Sequence, residues 1–298
     1  MEGGCEDMSL VFQQLISGVA MGCIYALVAL GYTFIWNAVG IVNLAQGDFV
    51  TLAAFIYGIS LVNHLGWPFV LALLGVLAAM ALFGAGVEKV VYYPLRTAHP
   101  RTVMLSTLAL SILMANLVLI IWGPYPLSTT GPFGHRLLVM GNVSIPYQNI
   151  FIIIVGVLLL FLQNFFFTRT SMGKVMRAVA QNQEAATLMG IETSKVIAFT
   201  FAYSSAIAGV AGVLIAPVFM ISTDLGAVGL KGFASSVIGG FGQVFGAAFG
   251  GIFLGIMEVL AASYISSLYK DAIVFLILIL FLLLRPQGFF GRKGSESL

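Results

Sequence analysis

Charge is what this sequence has least of. Of 298 residues, 13 are Lys or Arg and 11 are Asp or Glu, so only 8% are charged, against roughly 25% in soluble globular domains. So few charges cannot cover a water-facing surface, and the same arithmetic excludes disordered, collagen-like and coiled-coil chains. A net charge of +2, with no basic cluster interleaved with aromatics, argues against a nucleic-acid partner. Cysteine is nearly absent, and Cys5 and Cys23 give neither a disulfide framework nor metal-ligand spacing. His64, His99 and His135 stand alone, without the spacing of a zinc site. No Gly-x-Ser-x-Gly elbow occurs, and Gly173-Lys174 lacks the upstream glycine and following Ser/Thr of a phosphate-binding loop. The chain therefore has no catalytic constellation, binds no metal or cofactor directly, and does not hydrolyse nucleotide by itself. The acidic opening Met1–Asp7 is the reverse of a secretory leader. Residues 1–8 read as an N-terminal extension, with Met8 a candidate natural start, ahead of a single transmembrane domain over 9–298.

Apolar residues are abundant at 60% of the chain, with 34 glycines besides, and mean hydropathy is +1.06. Nine apolar stretches lie near 10–35, 42–62, 69–91, 102–122, 148–168, 196–218, 226–244, 249–267 and 270–284, most near the ~20 residues of a membrane-spanning helix. The expected fold is an all-α, polytopic transmembrane helical bundle of about eight or nine spans. The stretch 226–244 is the weakest, being rich in Gly and Ser, and is a candidate for a broken or re-entrant segment. With alternating spans, Lys89, Arg96, Arg101, Arg169, Lys174, Arg177, Lys195, Arg285, Arg292 and Lys293 fall on one side, and Arg136, Lys231 and Lys270 on the other. The positive-inside rule then places the N-terminus outside and the C-terminus in the cytoplasm. Asn142-Val143-Ser144 matches a glycosylation sequon in an outside loop, but three residues are a weak signal.

Small residues recur at helix-packing spacing: Gly18 and Gly22, Ala208 and Gly212, then Gly242, Gly246 and Gly250. Close backbone approach between helices is the favoured reading over a ligand role. The glycine-dense stretches 40–47 and 233–251 leave a remote inverted repeat conceivable. Polar groups inside apolar stretches are the candidates for a translocation path. Asn43, Gln46 and Asp48 cannot face lipid without losing hydrogen bonds, so they face protein, a hydrated cavity or the membrane boundary. Glu258 lies mid-span and is expected to be protonated or paired within the bundle.

The loop from Gly173 to Gly190 has helix formers throughout and no proline, with Gly190 placed to stop a helix. Val175, Met176 and Val179 form one apolar stripe. Within this loop, Glu184-Ala185-Ala186 followed by Gly190 resembles the EAA-type loop of ABC importer permeases. Further blocks are similar to branched-chain amino acid ABC permeases of the LivH type: Gly22 to Gly31, Val39 to Phe49, Arg177 to Ile191, Phe233 to Gly251 and Leu284 to Gly288. Together they cover nearly the whole chain. The Leu-Pro that ends the wider EAA consensus is absent.

The resemblance implies a transport subunit of an ATP-driven importer in a bacterial or archaeal cell membrane, moving branched-chain or related amino acids. It implies a second permease subunit of the LivM type, two ABC ATPase subunits that use the ATP, and an extracytoplasmic substrate-binding protein. Loop 169–195 would couple to an ATPase through Arg177, Glu184, Ala185, Ala186 and Gly190. The binding protein would supply most of the selectivity, which leaves urea and short amides as alternative substrates. A stand-alone secondary transporter would need its own coupling-ion site, which Asp48 or Glu258 could provide. Such a transporter has no use for an ATPase-docking loop.

Overall fold

The computed structural model describes residues 3–291 apart from 135, 141–142 and 286; the side chains of 3–8 and 140 are not described. His135, Asn142 of the sequon, Arg292 and Lys293 therefore lie outside the described residues, as do the side chains of the extension 1–8.

The first helix, α1 (Gly3–Val39), is followed by α2 (Gln46–Phe55), which continues without a break as a π-helical stretch, Ile56–His64. Next come α3 (Phe69–Val87), prolonged by π-helical Glu88–Tyr92 and the single turn α4 (Tyr93–Leu95), and then α5 (Pro100–Trp122). An antiparallel hairpin, β1 (Leu137–Met140) and β2 (Val143–Pro146), sets Val139 opposite Ser144. The rest is helical: α6 (Tyr147–Arg169), α7 (Ser171–Gln181), α8 (Gln183–Leu188), α9 (Thr193–Ile215), a 3-10 turn at Thr223–Gly226, α10 (Ala227–Gly239), α11 (Val244–Tyr264) and α12 (Lys270–Leu284).

This is an all-α membrane bundle. Among the described residues, six helical stretches have the length and apolarity to cross a bilayer: Ser9–Val39, Phe69–Leu95, Pro100–Trp122, Tyr147–Arg169, Thr193–Ile215 and Val244–Tyr264. The other three expected spans differ from these for visible reasons. α2 opens on a polar turn, Gln46-Gly47-Asp48. α10 has 13 residues, or about 20 Å of helix, short of a ~30 Å hydrocarbon core. α12 has 15 residues, about 22 Å by the same rise.

α1 is the axis of the bundle, packed against α11, α9, α10 and α6. From Cys23 to Leu30 every residue is at most 1% exposed, which is why this helix is apolar all round rather than striped. Burial separates an inner from an outer set, since 72% of the apolar window of α1 is covered but only 22% of those of α5 and α6. Apolar side chains such as Ile112, Ile120, Phe161 and Phe165 are left on the outer faces, as lipid contact requires. The α1–α11 contact depends on glycine. A Cβ at Gly22 would lie 2.6 Å from the Cα of Ile252, and one at Gly18 2.9 Å from that of Ile256, so the expected backbone approach is present.

Hydrogen bonds between loops define two ends. At one, Leu127 and Ile221 exchange backbone bonds of 3.0 and 2.7 Å, and Asn63 Nδ2 donates to the Ser128 carbonyl at 3.0 Å. At the other, Gln183 Nε2 donates to the Ala38 carbonyl at 3.2 Å and Asn37 Nδ2 to that of Gly242 at 2.9 Å. The tail folds back onto this second end, with Phe289 N–H donating to the Ile238 carbonyl at 2.9 Å.

Candidate functional site

The polar opening of α2 is a break inside the bundle. Gly40, at φ +67°, terminates α1, and residues 41–45, buried but for half-buried Leu44, then run non-helical to Gln46. Gln46 Nε2 donates to Ser204 Oγ at 3.2 Å, and Ser204 Oγ donates to the Gly31 carbonyl at 2.9 Å. Gly31 lies eight residues before the end of α1, about 12 Å along its axis. α2 therefore starts well inside the bundle, where irregular backbone is tolerated only if protein satisfies it. Asn43 does this locally, its Oδ1 accepting from Ala45 N–H at 3.2 Å, while Leu44 N–H donates to Thr107 Oγ1 at 3.1 Å.

Asn43 and Gln46 are fully buried and knot the break together; neither lines the cavity beside them. Asp48 does. It borders a cavity of about 530 Å³ shared with Tyr32, Ser111, Thr223 and Phe233. One carboxylate oxygen accepts from the Ser111 hydroxyl. Among the described residues no Lys, Arg or His lies within ion-pair distance of Asp48. Beside the cavity α2 and α10 cross through their glycines: a Cβ at Gly47 would sit 2.9 Å from the Cα of Gly229. Sequence reading singled out Asp48 but not Ser111, which sits 63 residues away on α5.

Glu258 belongs to a second group. Its Oε1 receives Lys231 Nζ at 2.6 Å and its Oε2 receives the Tyr25 hydroxyl at 2.6 Å. Lys231 Nζ also lies 2.8 Å from Asp271 Oδ1 at the start of α12. The paired alternative for Glu258 is thus the one adopted. These groups border a second cavity of about 330 Å³, and Asp224 lines both. Counting Lys231 only as a surface charge hid its role, because its partners lie on other helices.

Breaking this pair leaves a buried charge exposed to apolar surroundings. Lys231→Met is expected to destabilise the bundle by roughly 3–5 kcal/mol, and Lys231→Met combined with Glu258→Gln to regain part of the loss. Thermal unfolding in detergent measures it; an unchanged midpoint in the single variant would show the pair to be dispensable.

The loop 169–195 folds as two helices. Thr170 Oγ1 caps α7 by accepting from Gly173 N–H at 3.1 Å. Asn182, extended at φ −160° and ψ 110°, interrupts the expected continuous helix, and its side chain caps α8 by accepting from Ala185 N–H at 2.9 Å. Gly190 takes φ +83°, the left-handed ending expected of it. Met176 and Val179 are buried as their stripe requires, and Arg177 is half-buried over the Phe167 ring. Ala186 is buried against its own chain, whereas Glu184 and Ala185 are exposed. Leu188 and Met189, at 88% and 83% exposure, form an apolar tip that the sequence pattern did not reveal.

The family described as branched-chain amino acid transport system / permease component matches residues 14–282. The chain is 32% identical to the high-affinity branched-chain amino acid transport system permease protein LivH of Escherichia coli K12, over 98% of this chain and 99% of that protein. It is 34% identical to the corresponding permease protein BraD of Pseudomonas aeruginosa, over 96% and 97% of the two chains. A probable branched-chain amino acid transport permease protein LivH of Methanocaldococcus jannaschii is 28% identical over 89% and 88%. No solved structure matches.

Proposed function

The chain belongs to the branched-chain amino acid transport permease family, and from that premise we propose that it forms part of the translocation path of an ATP-driven importer for branched-chain amino acids. A second permease subunit would complete the path, two separate ATPase subunits would hydrolyse ATP, and an extracytoplasmic binding protein would deliver substrate. The observation that carries the coupling to an ATPase is the tip of α8. Leu188 and Met189 stand almost fully exposed on a loop tied to the end of α1 through Gln183. Two adjacent large apolar side chains held out by a capped helix suit a partner's groove. Glu184, Ala185 and Gly190 would frame that contact on α8 and Arg177 would support it through the backbone of α7, its side chain turned onto Phe167, while Ala186 would anchor the helix to the permease from behind.

The path itself would run past Asp48. In the larger cavity Asp48 and Ser111 offer acceptors for an ammonium group, while Leu44, Leu108, Leu230 and Phe233 offer an apolar wall. That combination suits a small zwitterion with an aliphatic side chain. Asn43 and Gln46 would support the path by holding the break, and Glu258 by its ion pair beside the second cavity.

We place the N-terminus outside and the C-terminus in the cytoplasm of a bacterial or archaeal cell membrane, with eight or nine crossings once α2, α10 and α12 are added to the six long helices. The two ends defined by loop hydrogen bonds support this, because Arg96, Arg101, Arg169, Lys174, Lys195 and Arg285 gather at the Gln183 end. Reporter fusions at Arg136 are expected to signal from outside and fusions near Gln183 from the cytoplasm. The same signal from both positions would defeat this topology.

A further inference from the structure

We propose that the groove between α6 and α11 is a binding site for one anionic phospholipid, with an acyl chain in its apolar part and the phosphate at Arg177. Two cavities meet there. One, of about 250 Å³, is walled by Val157, Phe161, Ala248 and Ile252 and is apolar along its length. The other, of about 340 Å³, is walled by polar groups including Thr168, Arg177 and Gln181. Asn164, Val244 and Phe245 line both, so the groove is continuous from an apolar end to a polar one.

Its length fits a lipid tail. From Val157 to Thr168 is eleven residues of α6, about 16 Å, close to the ~15 Å of one leaflet's hydrocarbon. Its charge fits the headgroup, since among the described residues Arg177 is the one ionisable side chain lining either cavity and no carboxylate does. The guanidinium is held 5.6 Å from the centroid of the Phe167 ring, and Nη2 donates to the Thr168 carbonyl at 3.5 Å. Most of its five N–H donors stay free in a fixed orientation, which is the arrangement that binds a phosphate by two bonds at once. A basic group at the membrane boundary between transmembrane helices is suited to anionic headgroups.

The test uses the purified full chain in detergent, titrated with phosphatidylglycerol and with phosphatidylcholine of equal acyl length, and reads retained lipid by native mass spectrometry. Phosphatidylglycerol is expected to be retained about five-fold better. Arg177→Gln should erase that preference, Arg177→Lys should keep most of it, and Lys174→Gln, on the exposed face of α7, should leave it intact. Ala248→Trp should fill the apolar part and lower retention of both lipids; if that variant fails to fold, the Arg177 pair decides alone. Equal retention of the two lipids by the unaltered chain, or a preference that survives Arg177→Gln, overturns the proposal. Oxidation by copper phenanthroline of Phe249→Cys to a disulfide with a cysteine introduced in the partner permease, undiminished by added phosphatidylglycerol, overturns it too, because protein would then fill the groove.

Discussion

Asp48→Leu is expected to lower amino acid uptake by about 10- to 100-fold, the worth of one hydrogen bond to a charged group, with nearly unchanged yield of assembled complex. The reason is placement. Asp48 borders the larger cavity, and among the described residues the Ser111 hydroxyl is the one side chain that donates to its carboxylate, so its removal takes little from the packing of the bundle. Asp48→Glu should keep part of the uptake, and Asp48→Asn, which is nearly the same size without the charge, should lose nearly as much as leucine. Gln46→Leu supplies the contrast. Gln46 is fully buried and bonded to Ser204, so its loss leaves buried polar partners unmatched. The amount of folded protein should then fall before any effect on uptake can be read. Uptake and yield are measured together in membrane vesicles; full uptake with Asp48→Leu would reduce this residue to an interface anchor.

The second large effect is expected at the tip of α8. Leu188→Ser with Met189→Ser should weaken ATPase association about 30-fold, the loss of one binding hot spot of ~2 kcal/mol, and should uncouple ATP hydrolysis from uptake. Membrane insertion should be unaffected, because both side chains already stand in solvent. Ala186→Trp makes a poorer probe. That side chain is buried within its own chain, so a bulky substituent would displace α8 itself and confound docking with folding. Unimpaired co-purification of ATPases by the Leu188 and Met189 double variant would assign α8 to a solvated surface helix.

Much of this was legible in the sequence where one residue type had one physical consequence. Sparse charge gave a membrane bundle, Gly18 and Gly22 gave a close helix contact, and Gly190 gave a helix end. The paired state of Glu258 was foreseen as one of two alternatives, but its partners Lys231 and Tyr25 lie on α10 and α1, and no periodicity connects positions 27 and 233 residues apart. Six of the nine expected spans are long apolar helices, whereas α2 and α10 are short or polar helices that pack through Gly47 and Gly229, a contact that only tertiary structure displays. The division of the loop at Asn182 was hidden for a related reason. Helix propensity ran unbroken through it, and a single extended residue with a capping side chain turned the chain so that Ala186 faced inward and Leu188 outward.

The central claim is that this chain moves branched-chain amino acids in concert with separate ATPases. The direct measurement is uptake of radiolabelled leucine into proteoliposomes containing this chain, its partner permease and the two ATPase subunits, with binding protein added to the outer side. ATP-dependent accumulation that vanishes when this chain is omitted is the predicted result. Leucine accumulation at the same rate without ATP, or with the ATPase subunits left out, would contradict the account.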